Sequence, residues 1–386
     1  MLNLPVYLDN NATTACDPRV VEAMLPYFTR FFGNAASRNH SFGWQAKEAV
    51  DYAREQVAEL IGAEPQEIIF TSGATEADNL AIKGVFEMYK NKGNHIITVA
   101  TEHKAVLDTC KHLEKEGANI TWLDTQPDGR IDLLALEAAI QPSTILIAVM
   151  YANNETGVVQ SIREISAIAK KHGIIFFSDA VQAAGKIAVN VLEDGIDMMS
   201  LSAHKMYGPK GAGALYVRRK NPRIKLTAQI DGGGHERGIR SGTLNVPGIV
   251  GFGKAAELAK NEMEPEGKRL SIWSNKLEDA LLQLGEVTIN GSTTHRLPHV
   301  SNLSFKFTES EGLLMGLNKN VALSAGSACT SASMEPSHVL KAMGLSDEMA
   351  FAALRFALGR FTTLEEIDYV IKKVTDAVRQ YRVLSI

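Results

Sequence analysis

Lys205 stands in MMSLSAHKMYGPKGAG, Met198 to Gly213: an apolar run, then Ser202-Ala203-His204-Lys205, then a Gly-Pro-Lys-Gly turn. An amine held between a strand-like run and a stiff turn can be shielded from water and aimed into a cleft, where it is able to form a Schiff base. Lysines ahead of turns are far more often simply solvated, so the position gains weight only from its company. That company falls at the ends of other apolar runs. IIF leads into Thr71-Ser72-Gly73-Ala74-Thr75-Glu76 and on into a helical pattern. The amides of Ala74 and Thr75 and the Thr75 hydroxyl can meet an anion there, although an ordinary helix cap reads the same way. Asp179 closes GIIFFSD. A carboxylate at that place needs a cationic partner, for which a protonated pyridine nitrogen would serve, or else it caps a helix. Gln182, three residues on, can reach the phenolic oxygen of the same ring. Asn154 in YANNETG offers amide donor and acceptor groups, and tandem asparagines also make good turns. His103, after HIITVAT and Glu102, can cover a ring face and exchange protons near neutral pH, or sit structurally at a helix start.

These groups need a scaffold that gathers strand ends. From Glu67 the chain alternates: strands at Glu67 to Thr71, His95 to Ala100, Ile120 to Leu123, Thr144 to Met150, Ile174 to Ser178, Met198 to Leu201 and Ala214 to Val217, with helical patterns between most of them. This predicts an α/β fold with a mainly parallel sheet covered on both faces, whose carboxyl-end loops form the binding crevice. Earlier, Ser41 to Ile61 reads as an amphipathic helix. Beyond residue 220 the pattern loosens, and helices are expected at Val250 to Asn261 and Lys268 to Leu284, then a smaller α+β unit. The expected division is an N-terminal arm over 1–15 packing with the small domain, a large domain over 16–260 and a small domain over 261–386.

The chain has 386 residues and a formal net charge of -4, with Lys+Arg 40 against Asp+Glu 44. No basic field of the kind nucleic acid requires is present, so nucleic acid is disfavoured as a partner. The longest apolar runs fall far short of the ~18 residues of a membrane span, and the N-terminus lacks the pattern of a signal peptide. A cytoplasmic protein is expected. Cys16, Cys110 and Cys329 are odd in number and far apart. That suits reduced thiols, and no Cys or His pair has metal-ligand spacing. Cys110, at core-like helical spacing, and Cys16, in the arm, are given structural roles.

Together, a phosphate cradle, a ring-nitrogen carboxylate, a partner for a ring oxygen, a stacking imidazole and a Schiff-base lysine are what pyridoxal 5'-phosphate requires. The sequence also resembles the cysteine desulfurases of the IscS/NifS type, which are class-V aminotransferases of pyridoxal-phosphate fold type I, the aspartate-aminotransferase-like fold. The resemblance runs through YLDNNATT, FGNAASRNHSFG, FTSGATEADNLAIKG, TEHKAVL, NNETGVVQ, DAVQAAGK, SAHKMYGPKG, GGGHERGIRSGT, SAGSACTSASMEPSHVL and LRFALGRFTT. It implies that Lys205 binds the cofactor and that Asp179 meets its ring nitrogen. By the same resemblance Asn154 and Gln182 hold the ring oxygen, His103 stacks on the ring, and Ala74, Thr75, Ser202 and His204 hold the phosphate. Thr243 in RSGT matches a phosphate ligand supplied by the other subunit, which implies a homodimer.

The resemblance further makes Cys329, in a mobile loop over about 322–336, the nucleophile that takes sulfur from L-cysteine as a persulfide. Arg355 binds the substrate carboxylate together with Asn154, and His103 manages protons at the thiol. An IscU/NifU-like scaffold protein is the implied sulfur acceptor, and Cys329 a transient iron–sulfur ligand through its persulfide; no intrinsic metal is implied. Two departures stand out. Ala35 replaces the usual proline of FGNPAS, and the chain stops at Ile386, short of the tail many such members extend toward the scaffold. Rival readings are a selenocysteine lyase or SufS-type enzyme, and a non-catalytic assembly partner. The presence of Lys205, Asp179 and Cys329 together argues against the last.

Overall fold

The computed structural model describes residues 2–325 and 335–384. Its central sheet has seven strands, in spatial order Ile68–Thr71, Gly213–Val217, Met198–Ser202, Ile175–Asp179, Thr144–Ala148, His95–Val99 and Asn119–Leu123. Pairing is parallel throughout except at Gly213–Val217, which runs antiparallel to both neighbours. The alternation of β and α segments thus yields the expected sheet, with one strand reversed by the short Gly-Pro-Lys-Gly turn that follows Lys205.

Period-two alternation assigns the two faces. Phe70, Ile97, Phe176, Met199 and Leu201 pack with Ala53 and Val57 of helix Ser41–Ile61 and with Phe252. Ile69, Ile96, Phe177, Met198 and Leu215 pack with Ala77, Ala81 and Val85 of helix Ala74–Tyr89 and with Cys110. Because both faces are covered, every residue of the strands Ile175–Asp179 and Met198–Ser202 is buried.

A second, antiparallel sheet is ordered Ser324–Ala325, Ala353–Ala357, Val300–Phe305 and Val287–Ile289. Helix Leu364–Leu384 covers it through Ile367, Val370, Val374 and Val378, the three-and-four spacing of one helical face. The arm's Val6–Tyr7 pairs in parallel with Val321–Ala322.

The two helices expected around residues 250–284 are one helix, Val246–Leu282, with Pro265 inside it. Proline removes one backbone donor and usually ends or kinks a helix. Here tertiary burial carries it through, since Leu258 and Ala259 on one side of Pro265 and Leu270 on the other are all buried. Residue 260 therefore lies within continuous helix. Among the described residues no helix is long and apolar enough to cross a membrane.

Candidate active site

Strand Met198–Ser202 ends in a single 3-10 turn, Ala203–Lys205, that projects Lys205 over the carboxyl edge of the sheet. The turn is clamped from the arm. Thr14 donates from both its amide and its hydroxyl to the His204 carbonyl, at 3.0 and 2.9 Å, and its hydroxyl accepts from the Tyr207 amide at 2.9 Å. Tyr207 itself sits at φ 65°, a left-handed conformation rare for a bulky residue, with its ring buried under the Arg360 guanidinium 4.3 Å away. The Lys205 amine donates to the carbonyls of Asn11 at 2.5 Å and Ala12 at 2.8 Å. Desolvation, aided by the positive charge of Arg355, brings its pKa down to about 8, against the pull of Asp179 and Asp9. Such an amine keeps its proton in most molecules at neutral pH but loses it far more readily than a solvated lysine.

Below it, Asp179 ends its strand and is 5% exposed. One carboxylate oxygen accepts from the Val181 amide at 2.9 Å, a contact within a turn rather than a helix cap, since no helix begins after Asp179. Burial raises its pKa, while His103, the Val181 amide and Lys205 oppose that rise. His103 both caps helix Lys104–Lys115 and lines the cavity. Its Nδ1 accepts from the Ala105 amide at 3.1 Å, so the neutral ring keeps its hydrogen on Nε2. Gln182 and Asn154 also face the cavity, and Gln182 donates to the Asn11 carbonyl at 3.0 Å.

At the other end, Ala74 and Thr75 open helix Ala74–Tyr89, and their amides have no partner one turn back. A Cβ on Gly73 would meet nothing within 4 Å, whereas one on Gly213 would come within 2.6 Å of the Gly73 backbone. The cradle thus depends on strand-to-loop contact that only glycine allows. Ser202 and His204 line the same end. Burial, followed by Lys205 and Lys210, brings His204 down to about 4, so it is a neutral donor there. Glu76 would repel an anion, but Arg240 pairs with it at 2.7 Å and Ser72 donates to it.

Arg355 enters from the second sheet, where it pairs in register with Asn302 and Ser324. Its Nη2 donates to Asp9 at 2.6 Å and its Nη1 to the Asn154 carbonyl at 3.0 Å, while the buried Nε has no partner. Thr243 is exposed and is not among the residues lining this cavity. Cys329, with the central part of its loop, lies outside the described residues. Cys110 is buried and Cys16 half-buried, and both thiols are free.

Sequence reasoning missed Asn11, Ala12 and Asp9, which hold the amine and the guanidinium. The motif YLDNNATT was visible, but Asn11 and Ala12 act through backbone carbonyls on a side chain 194 and 193 residues away, and the Asp9 carboxylate meets Arg355 across 346 residues. Nothing local in sequence encodes that.

The cavity encloses about 630 Å³, within the range of small-ligand sites. An anion cradle at a helix start, a buried carboxylate turned toward it and a half-buried amine fit pyridoxal phosphate, whose phosphate, ring nitrogen and aldehyde those groups respectively suit.

The class-V aminotransferase family profile matches residues 6–370. The cysteine desulfurase IscS of Anaeromyxobacter sp. (strain Fw109-5) is 56% identical over 385 residues, spanning 100% of this chain and 95% of that protein. Among solved structures, a NifS-like protein superposes with a TM-score of 0.91 at 37% identity, covering 98% of this chain and 100% of the other. SspA in complex with cysteine gives 0.81 at 37% identity, over 93% and 100% of the two chains.

Proposed function

Because the chain belongs to the class-V aminotransferase family as a cysteine desulfurase of the IscS type, we propose that the residues around Lys205 form the site where sulfur is removed from L-cysteine. The enzyme works with pyridoxal phosphate, which, when bound, supplies an electron sink for charge released at the substrate Cα. Lys205 would hold it covalently and Asp179 would meet its ring nitrogen. Ala74, Thr75, Ser202 and His204 would take its phosphate, His103 would cover the ring, and Gln182 with Asn154 would take the ring oxygen. The observation that carries this reading is the opening of the Lys205 amine and the buried Asp179 carboxylate onto one cavity that ends at a helix N-terminus.

The steps of this chain's own residues follow from their chemistry. Arg355 offers a planar fork to the substrate carboxylate, with Asp9 yielding its place to a better-placed anion. Lys205, once free, is an amine of pKa about 8, suited to take a proton at Cα and return one to the carbon framework. The Cys329 thiolate forms a bond to the substrate sulfur as the Cβ–S bond breaks. The electron pair of the broken bond stays with carbon, which is protonated, so alanine leaves and the sulfur remains as a persulfide. His103, donating from Nε2, would stabilise the thiolate. The test is alanine formation from L-cysteine: wild type forms it, Lys205→Ala does not, and an inactive wild type refutes the reading.

A homodimer with Thr243 reaching the partner's phosphate site belongs to the same reading. It is supported by the exposure of Thr243 and by Phe28, Phe32, Phe42, Trp44 and Tyr52, each at least 47% exposed on the N-terminal helices and the loop between them. A monomer at micromolar concentration in sedimentation would refute it. We retain the division into arm, large and small domains at residues 15 and 260, an IscU/NifU-like scaffold as sulfur acceptor with Cys329 as transient cluster ligand, and a cytoplasmic location.

A further inference from the structure

Three buried acids, Asp78, Glu102 and Asp179, lie in one another's electrostatic field, and no step above explains them together. Asp78, one turn into the helix from Ala74, is 0% exposed, and neither of its carboxyl oxygens has a hydrogen-bond partner. Glu102 is 1% exposed and accepts from the Met150 amide at 2.5 Å. Asp179 is the third. Ser200 is the direct register partner of Asp179 in the neighbouring strand, on the same face, and its buried hydroxyl is also unpartnered. That hydroxyl is a neighbour of both Asp78 and Asp179, close enough to favour the charged form of each. Buried polar groups left without partners are rare and call for a physical reason.

Three buried carboxyls in one another's field cannot all ionise; the proton leaves the one that best finds positive charge. Asp179 faces the cavity, where His103 and Lys205 provide it. Asp78 has the Asp179 carboxyl and the Ser200 hydroxyl as neighbours, and burial with the repulsion of Asp179 drives its pKa far up. Glu102 is raised for the same reasons. The neutral Asp78 carboxyl has one O–H to give, and Ser200 has one to pass on toward Asp179.

We propose that Asp78 is a positioning residue for Asp179: a neutral acid whose O–H, relayed through the Ser200 hydroxyl, keeps Asp179 an anion and so keeps the proton on the cofactor's ring nitrogen. This rests on Asp179 meeting that nitrogen. A carboxylate that accepts an additional hydrogen bond is a weaker base, so it leaves the shared proton on the ring. The device is placed where water cannot reach it. It also explains why an acid with no cation beside it sits in the first turns of the helix whose N-terminus meets the phosphate.

The experiment is a pH titration of the visible absorption of the purified holoenzyme, with cofactor affinity measured by equilibrium dialysis, for wild type, Asp78→Asn, Asp78→Ala, Ser200→Ala and Asp179→Ala. An Asn at 78 remains a neutral donor and is expected to keep both readouts within about twofold of wild type. Asp78→Ala and Ser200→Ala are each expected to weaken affinity about tenfold, the loss of one hydrogen bond to a charged group. In both, the absorption midpoint moves up by about one pH unit, since a less protonated ring repels a proton at the Lys205 linkage less. If Asp78→Ala leaves midpoint and affinity unchanged while Asp179→Ala loses both, the relay is wrong and the ring-nitrogen assignment stands. If Asp179→Ala is itself without effect, the underlying reading fails. If Asp78→Asn behaves like Asp78→Ala, Asp78 acts as a charge and the proposal is overturned. Circular dichroism of each variant establishes that it folds.

Discussion

In the cofactor-free protein, Lys205 should titrate about two and a half units below a solvated lysine. Its pKa is brought down to about 8 by desolvation and by Arg355, against about 10.5 for an ordinary side chain. At pH 7 roughly one molecule in ten then carries a neutral Lys205 amine, compared with about three in ten thousand for a solvated lysine, a roughly 300-fold excess of the reactive form. The sign follows from charge: burial and a neighbouring cation both disfavour the ammonium, so the neutral fraction rises with pH and levels off above about 9. Competitive labelling of the apoenzyme with a limiting amine reagent between pH 6 and 11, read by peptide mass spectrometry, gives the midpoint directly. Two variants fix the cause. Arg355→Ala removes a depressing charge and should move the midpoint up, whereas Asp179→Asn removes an elevating one and should move it down. A wild-type midpoint near 10.5, a downward shift in Arg355→Ala or an upward shift in Asp179→Asn would refute the reasoning.

Gly213→Ala would place a Cβ 2.6 Å from the Gly73 backbone. It should weaken cofactor binding about tenfold without altering a polar group, the scale of about 1–3 kcal/mol typical of overpacking; unchanged affinity by dialysis would contradict the cradle. Arg360→Ala removes bonds to Glu266 at 2.8 Å and Asp17 at 2.9 Å. It should cost about 3 kcal/mol in urea unfolding, the low end for breaking a buried pair, because Arg19 still meets Asp17 and Lys186 stands 3.9 Å from Glu266. A cost below about 1 kcal/mol would place that network among ordinary surface pairs. Burial pushes the Cys110 thiol up to about 12, so it should resist iodoacetamide at pH 8 in the folded protein, and Cys16→Ser/Cys110→Ala should keep wild-type alanine formation. Rapid labelling of Cys110, or loss of activity in the double variant, would count against both structural assignments.

The strands were legible because period-two and continuous apolar runs are local signals, and the groups at their ends fell where a parallel sheet gathers them. Lys205, Asp179, His103, Gln182 and Ala74 all line one cavity, as position at strand ends implies. Helix Val246–Leu282 was legible only in part, since Pro265 and Gly267 look like a break and the burial that overrides them is a property of the packed molecule. Asn11 was invisible because it acts through its carbonyl, which any residue possesses. Asp78 reads in sequence as one more polar residue of a helix. Its burial against Asp179 depends on which face of helix Ala74–Tyr89 meets the sheet.

The central claim concerns where the sulfur goes. Incubating the holoenzyme with L-cysteine, trapping thiols with an alkylating reagent and mapping the peptides by mass spectrometry locates it. One added sulfur atom on the peptide carrying Cys329, formed together with alanine and absent in Cys329→Ser that still binds cofactor, is the predicted result. Added sulfur on Cys16 or Cys110, or equal sulfur release by Cys329→Ser, would contradict it.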